Sequence, residues 1–108
     1  MPQEMDNRPA AYRFEWDEKK NRQNIKKHGL DFADAEELFG DTLLFWPDVR
    51  DDYGEGRWIG IGRIRGRTAV VAFTERGPET IRIISLRKAN SRESKRYEKA
   101  IENQLEEG

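Results

Sequence analysis

The period of the hydrophobic pattern changes along the chain, and this change limits the folds that the chain can adopt. After a short alternating stretch, apolar residues recur at helical spacing as far as Phe39. From Leu43 to Leu86 they follow the spacing of strands, and from Ser91 onwards helical spacing returns. Because strands and helices are segregated rather than alternating, the pattern predicts an α+β fold, an antiparallel sheet with helices packed on it.

The predicted elements follow the order β-α-α-β-β-β-β-α. Their predicted ranges are 12–17, 18–28, 32–39, 43–46, 57–64, 68–74, 80–86 and 91–105. Asp17 suits the N-cap of the first helix and Gly29 its end, and Asn90 with Glu93 forms the N-x-x-E capping box of the last helix. Residues 1–10 are polar, contain two prolines and are expected to be a flexible tail, which leaves 11–108 as a single domain.

The composition permits one small folded domain with a thin core. Charged residues make up 38% of the 108 residues, whereas Leu, Ile, Val and Phe together number only 22. The positive and negative charges, 20 and 21, nearly cancel, so self-repulsion does not keep the chain unfolded. We expect such a thin core to gain stability from a partner.

Several classes of site are excluded by what the chain lacks. It has no cysteine, which excludes disulfides, thiol catalysis and thiolate metal sites, and its single histidine argues against a histidine zinc site. It also lacks a GxxxxGK[ST] phosphate loop, an apolar run of membrane-spanning length and a signal peptide. We therefore expect a cytoplasmic protein with no membrane contact, no metal and no cofactor.

The small net charge of −1 conceals two segments of opposite sign. Residues 31–55 contain nine acidic residues and one basic residue, whereas residues 57–99 contain twelve basic and four acidic residues. Such a split indicates a surface for nucleic acid or for an acidic partner. Mutual neutralisation of the two segments in the folded protein explains it equally well.

Two other patterns have structural explanations. Gly60, Gly62 and Gly66 miss the dinucleotide-binding spacing, and we interpret them as strand glycines that allow twist or close packing. A cluster of acidic residues could bind Mg²⁺ but matches no EF-hand spacing, which favours a solvated loop. The residues of this cluster are Asp48, Asp51, Asp52 and Glu55.

The arginines are the strongest chemical signal. Simple alternation along Thr80–Leu86 places Arg82 on one face with Ile84 and Leu86, where a guanidinium needs a partner. That partner is either a carboxylate such as Glu75 or Glu55, or a phosphate. Three further arginines can reach the same region, namely Arg57, Arg76 and Arg87.

Several guanidiniums beside a carboxylate suit RNA cleavage without a metal. The ribose 2′-hydroxyl attacks the adjacent phosphate, a base accepts its proton, and cations stabilise the charge that grows on the phosphoryl oxygens. The alternative is a solvated basic face with one buried ion pair. His28 has two interpretations as well, a cation at a helix C-terminus or a general acid or base.

Four separated motifs resemble the BrnT family of bacterial toxins, the ribonuclease halves of type II toxin–antitoxin pairs. They are FEWDEKKNRQNIKKHG at 14–29, DFADAEELFGD at 31–41, DYGEGRWIGIG at 52–62 and IRIISLRKANSRESKRYE at 81–98. The resemblance implies a compact fold similar to the RelE ribonucleases and RNA cleavage that halts translation. It also implies a ribbon-helix-helix antitoxin similar to BrnA, a heterotetramer formed through antitoxin dimerisation, and DNA binding only through that antitoxin.

The resemblance also implies which residues act. By position it assigns the family's functional residues to Glu55, Arg57, Arg82, Arg87, His28 and Tyr97. Leu86 stands where the family usually has alanine, beside Arg87, and Gly56 stands where glutamate is common. A non-catalytic subunit whose basic face binds an acidic antitoxin or DNA is the alternative function.

Overall fold

The structure is a computed structural model that describes residues 12–40 and 42–107, without the side chains of 105–107. The predicted tail at 1–10 therefore lies outside the described residues, as do Asp41 and the Leu105 side chain of the predicted last helix.

The observed elements follow the predicted order. The described residues form five strands, β1 (Arg13–Glu15), β2 (Leu44–Pro47), β3 (Trp58–Ile64), β4 (Arg67–Glu75) and β5 (Thr80–Lys88). The same part of the chain forms three α-helices, α1 (Glu18–His28), α2 (Ala35–Phe39) and α3 (Ser91–Glu107), and a 3-10 turn at Phe32–Asp34 precedes α2. The predicted α+β class is confirmed.

The sheet is mixed rather than wholly antiparallel. Its strand order is β1-β5-β4-β3-β2, and the pairs from β2 to β5 are antiparallel as predicted. β1 pairs parallel with β5, with Phe14 opposite Ile81, which local patterns along the chain did not indicate. A parallel pair needs a long connection, and here the segment from α1 to β4 provides it.

The predicted caps are present because side chains satisfy the free backbone groups at helix ends. Asp17 accepts a hydrogen bond from the Lys20 amide, and Gly29 ends α1 with a φ of 72°. At α3, Asn90 and Glu93 each accept a hydrogen bond from the other's backbone N–H, at 2.8 and 2.9 Å, which completes the capping box.

One face of the sheet, here called the helical face, packs against α1 and α2. Its core includes Leu38 of α2 with Val71, Phe73, Ile83 and Leu86 of the sheet. A Cβ atom on Gly62 would lie 2.9 Å from the Leu38 side chain, so this strand glycine permits close packing, as predicted.

The opposite face, here called the arginine face, packs against α3 over only part of its area. Tyr97 of α3 lies there with Ile61 and Val70 in a second, smaller core. Alternation along β3 and β4 and the pairing with β5 place Arg82 and Arg87 on this face as well. The arginine face is therefore apolar beneath α3 and charged beyond it.

A β-bulge in β5 changes the expected arrangement of its side chains. Ser85 pairs with Ala72 and Ile83 pairs with Phe73, which leaves Ile84 as the extra residue. The prediction that Arg82 shares a face with Leu86 is therefore wrong. Leu86 is fully buried on the helical face, so it does not shape a pocket beside Arg87.

Candidate functional site

A row of polar side chains crosses the arginine face from strand to strand. Thr74 lies opposite Arg82, and Arg82 lies opposite Glu15 of β1. Arg57 precedes the Trp58–Phe73 pair and so continues the row beside Thr74. Because neighbouring strands lie about 4.8 Å apart, the backbones of the two arginines are separated by roughly twice that distance, with a small residue between them.

Arg82 is paired with a carboxylate, but not with one that the sequence suggested. Its Nη1 atom donates to Oε2 of Glu15 at 2.6 Å, whereas Glu75 and Glu55 were the expected partners. The two side chains are 32% and 44% exposed. The pair is therefore partly solvated, and the expectation of a guanidinium enclosed by aliphatic residues is also wrong.

Arg57 is held by two neighbours. Its guanidinium lies 4.1 Å from the centroid of the Tyr53 ring, a cation–π contact, and its Nε lies 3.4 Å from Glu55. Glu55 also pairs with Arg76 at 3.2 Å. Three of the residues that the sequence brought together, Glu55, Arg57 and Arg76, are therefore neighbours in the structure.

The loop before β3 folds around a buried carboxylate. Asp48 has a side chain that is only 2% exposed and accepts two hydrogen bonds from the Arg50 guanidinium, both 2.8 Å long. These bonds, with a smaller contribution from the Tyr53 hydroxyl, lower the pKa of Asp48 to about 2. The loop thus anchors the aromatic ring on which Arg57 rests.

Arg87 lies on the same face nearer to α3. It donates two hydrogen bonds of 2.8 Å to Glu93, the residue of the capping box. Arg87 lowers the pKa of Glu93 to about 2, and the same contact raises the pKa of Arg87. The guanidinium therefore fastens the start of α3 to β5.

The remaining two candidates lie apart from this row. Tyr97 is buried in the second core, where its hydroxyl donates to the Thr42 carbonyl at 2.7 Å and Arg63 covers its ring. His28 is half-buried at the C-terminus of α1, and in the part of the chain that the structure describes it has no hydrogen bond or ion pair with the arginines.

Two residues that contact the arginines of the row, Glu15 and Tyr53, are not among the candidates that the sequence offered. Glu15 lies in a strand that was predicted, but its partner comes 67 positions later, so no local pattern could join them. Tyr53 follows two aspartates in the loop and lies four positions before Arg57. An aromatic residue so close to an arginine was the sequence signal for a cation–π contact.

Both explanations of the charge split apply in part. Arg57 and Arg76 pair with Glu55, and Arg65 pairs with Asp34, so the two segments do neutralise each other at these points. Arg82 and Arg87 pair instead with Glu15 and Glu93, outside the acidic segment. Among the described residues, no group of three or more histidine or acidic side chains could hold a metal ion.

Comparison with known proteins decides the family. The model of the ribonuclease toxin BrnT of type II toxin–antitoxin systems matches residues 16–93. The chain belongs to the BrnT family. It is thus a ribonuclease toxin of a type II toxin–antitoxin system, and membership implies an RNA substrate and an antitoxin partner.

A solved structure agrees with this assignment. The chain is similar to the Brucella abortus ribonuclease toxin BrnT, known from a crystal structure at 1.1 Å resolution, with 36% sequence identity and a TM-score of 0.62. The match covers 75% of this chain and 100% of the Brucella chain. A comparison with curated proteins finds no match. No helix within the described residues is long and apolar enough to cross a membrane.

Proposed function

We propose that this BrnT-family protein cleaves RNA on the arginine face, with Arg57 and Arg82 binding the phosphate that is attacked. The observation that supports this most is the row in which Arg57, directly before β3, is followed by Thr74 of β4, Arg82 of β5 and Glu15 of β1. Two cations flank a small residue there, and a carboxylate adjoins one of them. Side chains on adjacent strands of a sheet also keep their relative positions well.

The proposed reaction needs only proton transfer and charge stabilisation. The ribose 2′-oxygen bonds to phosphorus while the bond from phosphorus to the 5′-oxygen breaks. A carboxylate accepts the 2′-hydroxyl proton, and the departing 5′-oxygen takes up a proton, which leaves a 2′,3′-cyclic phosphate and a 5′-hydroxyl. The arginines stabilise the negative charge on the phosphoryl oxygens.

Glu15 is our first choice for the proton acceptor. It lies in the row and is partly exposed, and its Oε2 atom is 2.6 Å from Arg82, so phosphate on Arg82 would lie beside it. Glu55 lies next to Arg57 and is the second choice, and His28 is the third. Arg87 contributes to phosphate binding only if it leaves Glu93, which holds both of its terminal nitrogens.

Purified protein incubated with single-stranded RNA in EDTA tests the reaction. We expect cleavage to continue without divalent metal and to yield cyclic phosphate ends. Glu15→Gln should reduce the rate by about 10²–10⁴-fold, the usual contribution of a general base. Arg67→Gln is the matched control, because Arg67 is exposed and alternation places it on the helical-face side of β4.

Three outcomes would contradict parts of this scheme. Loss of cleavage in EDTA that Mg²⁺ restores would refute metal independence. A normal cleavage rate in Glu15→Gln, together with loss of cleavage in Glu55→Gln or His28→Gln, would identify Glu55 or His28 as the base instead. If Arg67→Gln lowers the cleavage rate as much as Arg57→Gln does, general basic charge, and not the row, accounts for activity.

The second candidate function is a basic subunit that binds without cleaving. The pairing of Arg57, Arg82 and Arg87 with carboxylates favours it, because paired guanidiniums have less charge available for a transition state. Purified protein that binds RNA but leaves it intact on and off the ribosome would support this candidate.

We further propose that the antitoxin is BrnA-like and acts in the cytoplasm. A ribbon-helix-helix dimer would bring two toxins into one heterotetramer and would supply all contacts with operator DNA. An antitoxin over the arginine face would exclude RNA. Cleavage by the purified complex at the rate of free toxin would refute this exclusion.

A further inference from the structure

The open edge of the sheet at β2 differs from the opposite edge. At the other edge the edge strand is β1, which has only three residues and covers the first part of β5, and Asn24 of α1 covers the part of β5 that follows. Its amide donates to the Leu86 carbonyl at 2.8 Å, and its oxygen accepts from the Leu86 N–H at 3.2 Å. β2 is paired only with β3, and no element of the described chain lies along its outer side.

The register of β2 identifies which backbone groups face outward. The Asp48 amide donates to the Arg57 carbonyl at 2.7 Å, so by alternation Trp46 and Leu44 also bond to β3. The N–H and C=O of Phe45 therefore point to the open edge. Pro47 occupies the next outward position and has no N–H, which limits the open stretch to a few residues.

An apolar groove lies next to this edge. It has a volume of about 370 Å³ and lies between the chain entering β2 and the second half of α3, lined by Leu43, Leu44, Ala100, Ile101, Asn103 and Gln104. The Phe45 side chain, on the other side of β2, is 50% exposed. Unpaired backbone and apolar surface thus occur together on one strand.

The charges around the groove favour an acidic occupant. Arg96 is exposed and lies over the Trp46 ring of β2 at 4.4 Å, at the end of the groove nearer the start of α3. On a helical projection of α3, Glu98 and Glu102 lie on the side away from Ala100 and Gln104. A carboxylate that follows apolar residues would therefore meet a cation and, among the α3 side chains that the structure describes, no nearby acidic one.

We infer that a short extended segment of the antitoxin adds a strand to the open edge of β2 and places apolar side chains in the groove, with a carboxylate at Arg96. Backbone hydrogen bonds at a sheet edge give affinity, and pockets for alternate side chains give specificity. This inference rests on the antitoxin that the family implies and not on the proposed cleavage row. β2 also borders the arginine face, so the antitoxin residues that follow would reach it.

Hydrogen exchange tests the added strand directly. The probe is the product of the reading frame adjacent to this chain's gene, mixed with the intact toxin. We expect exchange of the Phe45 amide to slow at least 10-fold in the complex. The Trp46 amide, bonded to β3 in either state, serves as the internal control and should change little. An unchanged Phe45 amide in a stable complex would overturn the added strand.

A matched pair of substitutions tests the groove. Ala100→Phe fills the groove, whereas Glu102→Phe places the same side chain two positions along on the opposite side of α3. We expect Ala100→Phe to weaken antitoxin binding at least 100-fold and Glu102→Phe to change it less than 3-fold. RNA cleavage by the free toxin should be normal in both variants, which separates this test from that of the cleavage row.

Other results would overturn the inference. Ala100→Phe that binds the antitoxin as tightly as the unaltered chain would place the interface elsewhere. A dimer of the isolated toxin that Ala100→Phe dissociates would assign the groove to a second copy of this chain. A neighbouring gene product that does not bind the unaltered toxin would remove the proposed occupant.

Discussion

At the residue scale, the exposure of each ion pair determines what its loss costs. The Arg82–Glu15 pair is partly solvated, whereas the Asp48–Arg50 pair has a buried carboxylate. Solvated pairs contribute little to stability, and removing one partner of a buried pair leaves a charge without compensation. Substitutions in the proposed site should therefore separate activity from stability.

Arg82→Gln should show this separation. We expect the free energy of unfolding to fall by no more than about 1 kcal/mol, because the pair with Glu15 is partly solvated. RNA cleavage should fall by about 10²-fold or more, because one cation at the phosphate is lost. Urea denaturation and a cleavage assay measure the two effects, and a large loss of stability would instead make Arg82 mainly structural.

Glu93 should make stability depend on acid pH. Arg87 holds the folded-state pKa of Glu93 at about 2, below the ordinary value of 4.5. A group with a depressed pKa stabilises the fold above its unfolded pKa, and that contribution is lost as the pH falls from about 4.5 towards 2. We expect Glu93→Gln to flatten this part of the pH profile by on the order of 1 kcal/mol, because solvent screens the partly exposed pair. An equally steep profile in the variant would contradict this.

At the element scale, α1 is held to the rest of the fold by polar side chains rather than by apolar ones. Asn24 bonds to the backbone of Leu86 and Leu30, and Asn21 bonds to Asp31 and to the Phe32 amide. Both asparagines are buried on a helix that has only one aliphatic residue, Ile25, which is itself exposed. Buried hydrogen bonds therefore attach α1 to the sheet, whereas most helices are attached mainly by apolar packing.

Asn24→Leu should destabilise the fold strongly for a single substitution. It removes three buried hydrogen bonds and leaves the Leu86 N–H and C=O unpaired, which should cost about 2–4 kcal/mol. Gln23→Leu is the control, because Gln23 is the adjacent residue on the exposed side of α1. Denaturant unfolding of both variants measures the difference, and equal stabilities would show that the Asn24 contacts contribute little.

At the scale of the whole molecule, the net charge of −1 does not favour RNA binding, so binding depends on where the positive charges lie on the surface. We expect the logarithm of RNA affinity to fall linearly with the logarithm of salt concentration. Each phosphate contact to single-stranded RNA contributes about 0.7 to this slope, so Arg57→Gln with Arg82→Gln should lower it by about 1.4. Filter binding across a salt series measures it. An unchanged slope would place the phosphate contacts on other residues.

The amino-acid sequence by itself determined the elements, their order and their caps, because these depend on residues close together in the chain. The start of α3, for example, needs only Asn90 and Glu93, three positions apart. The motifs quoted at 14–29, 31–41, 52–62 and 81–98 also indicated the family that the comparison then confirmed.

Only the tertiary structure decided which charges meet. The parallel pairing of β1 with β5 brings Glu15 to Arg82, and the bulge at Ile84 turns Arg87 to the same face. Strand pairing across 67 positions depends on the packing of the entire sheet, and a bulge shifts every later side chain to the other face. The sequence pattern therefore identified the arginines as candidate site residues, but it could not predict which carboxylates they would contact.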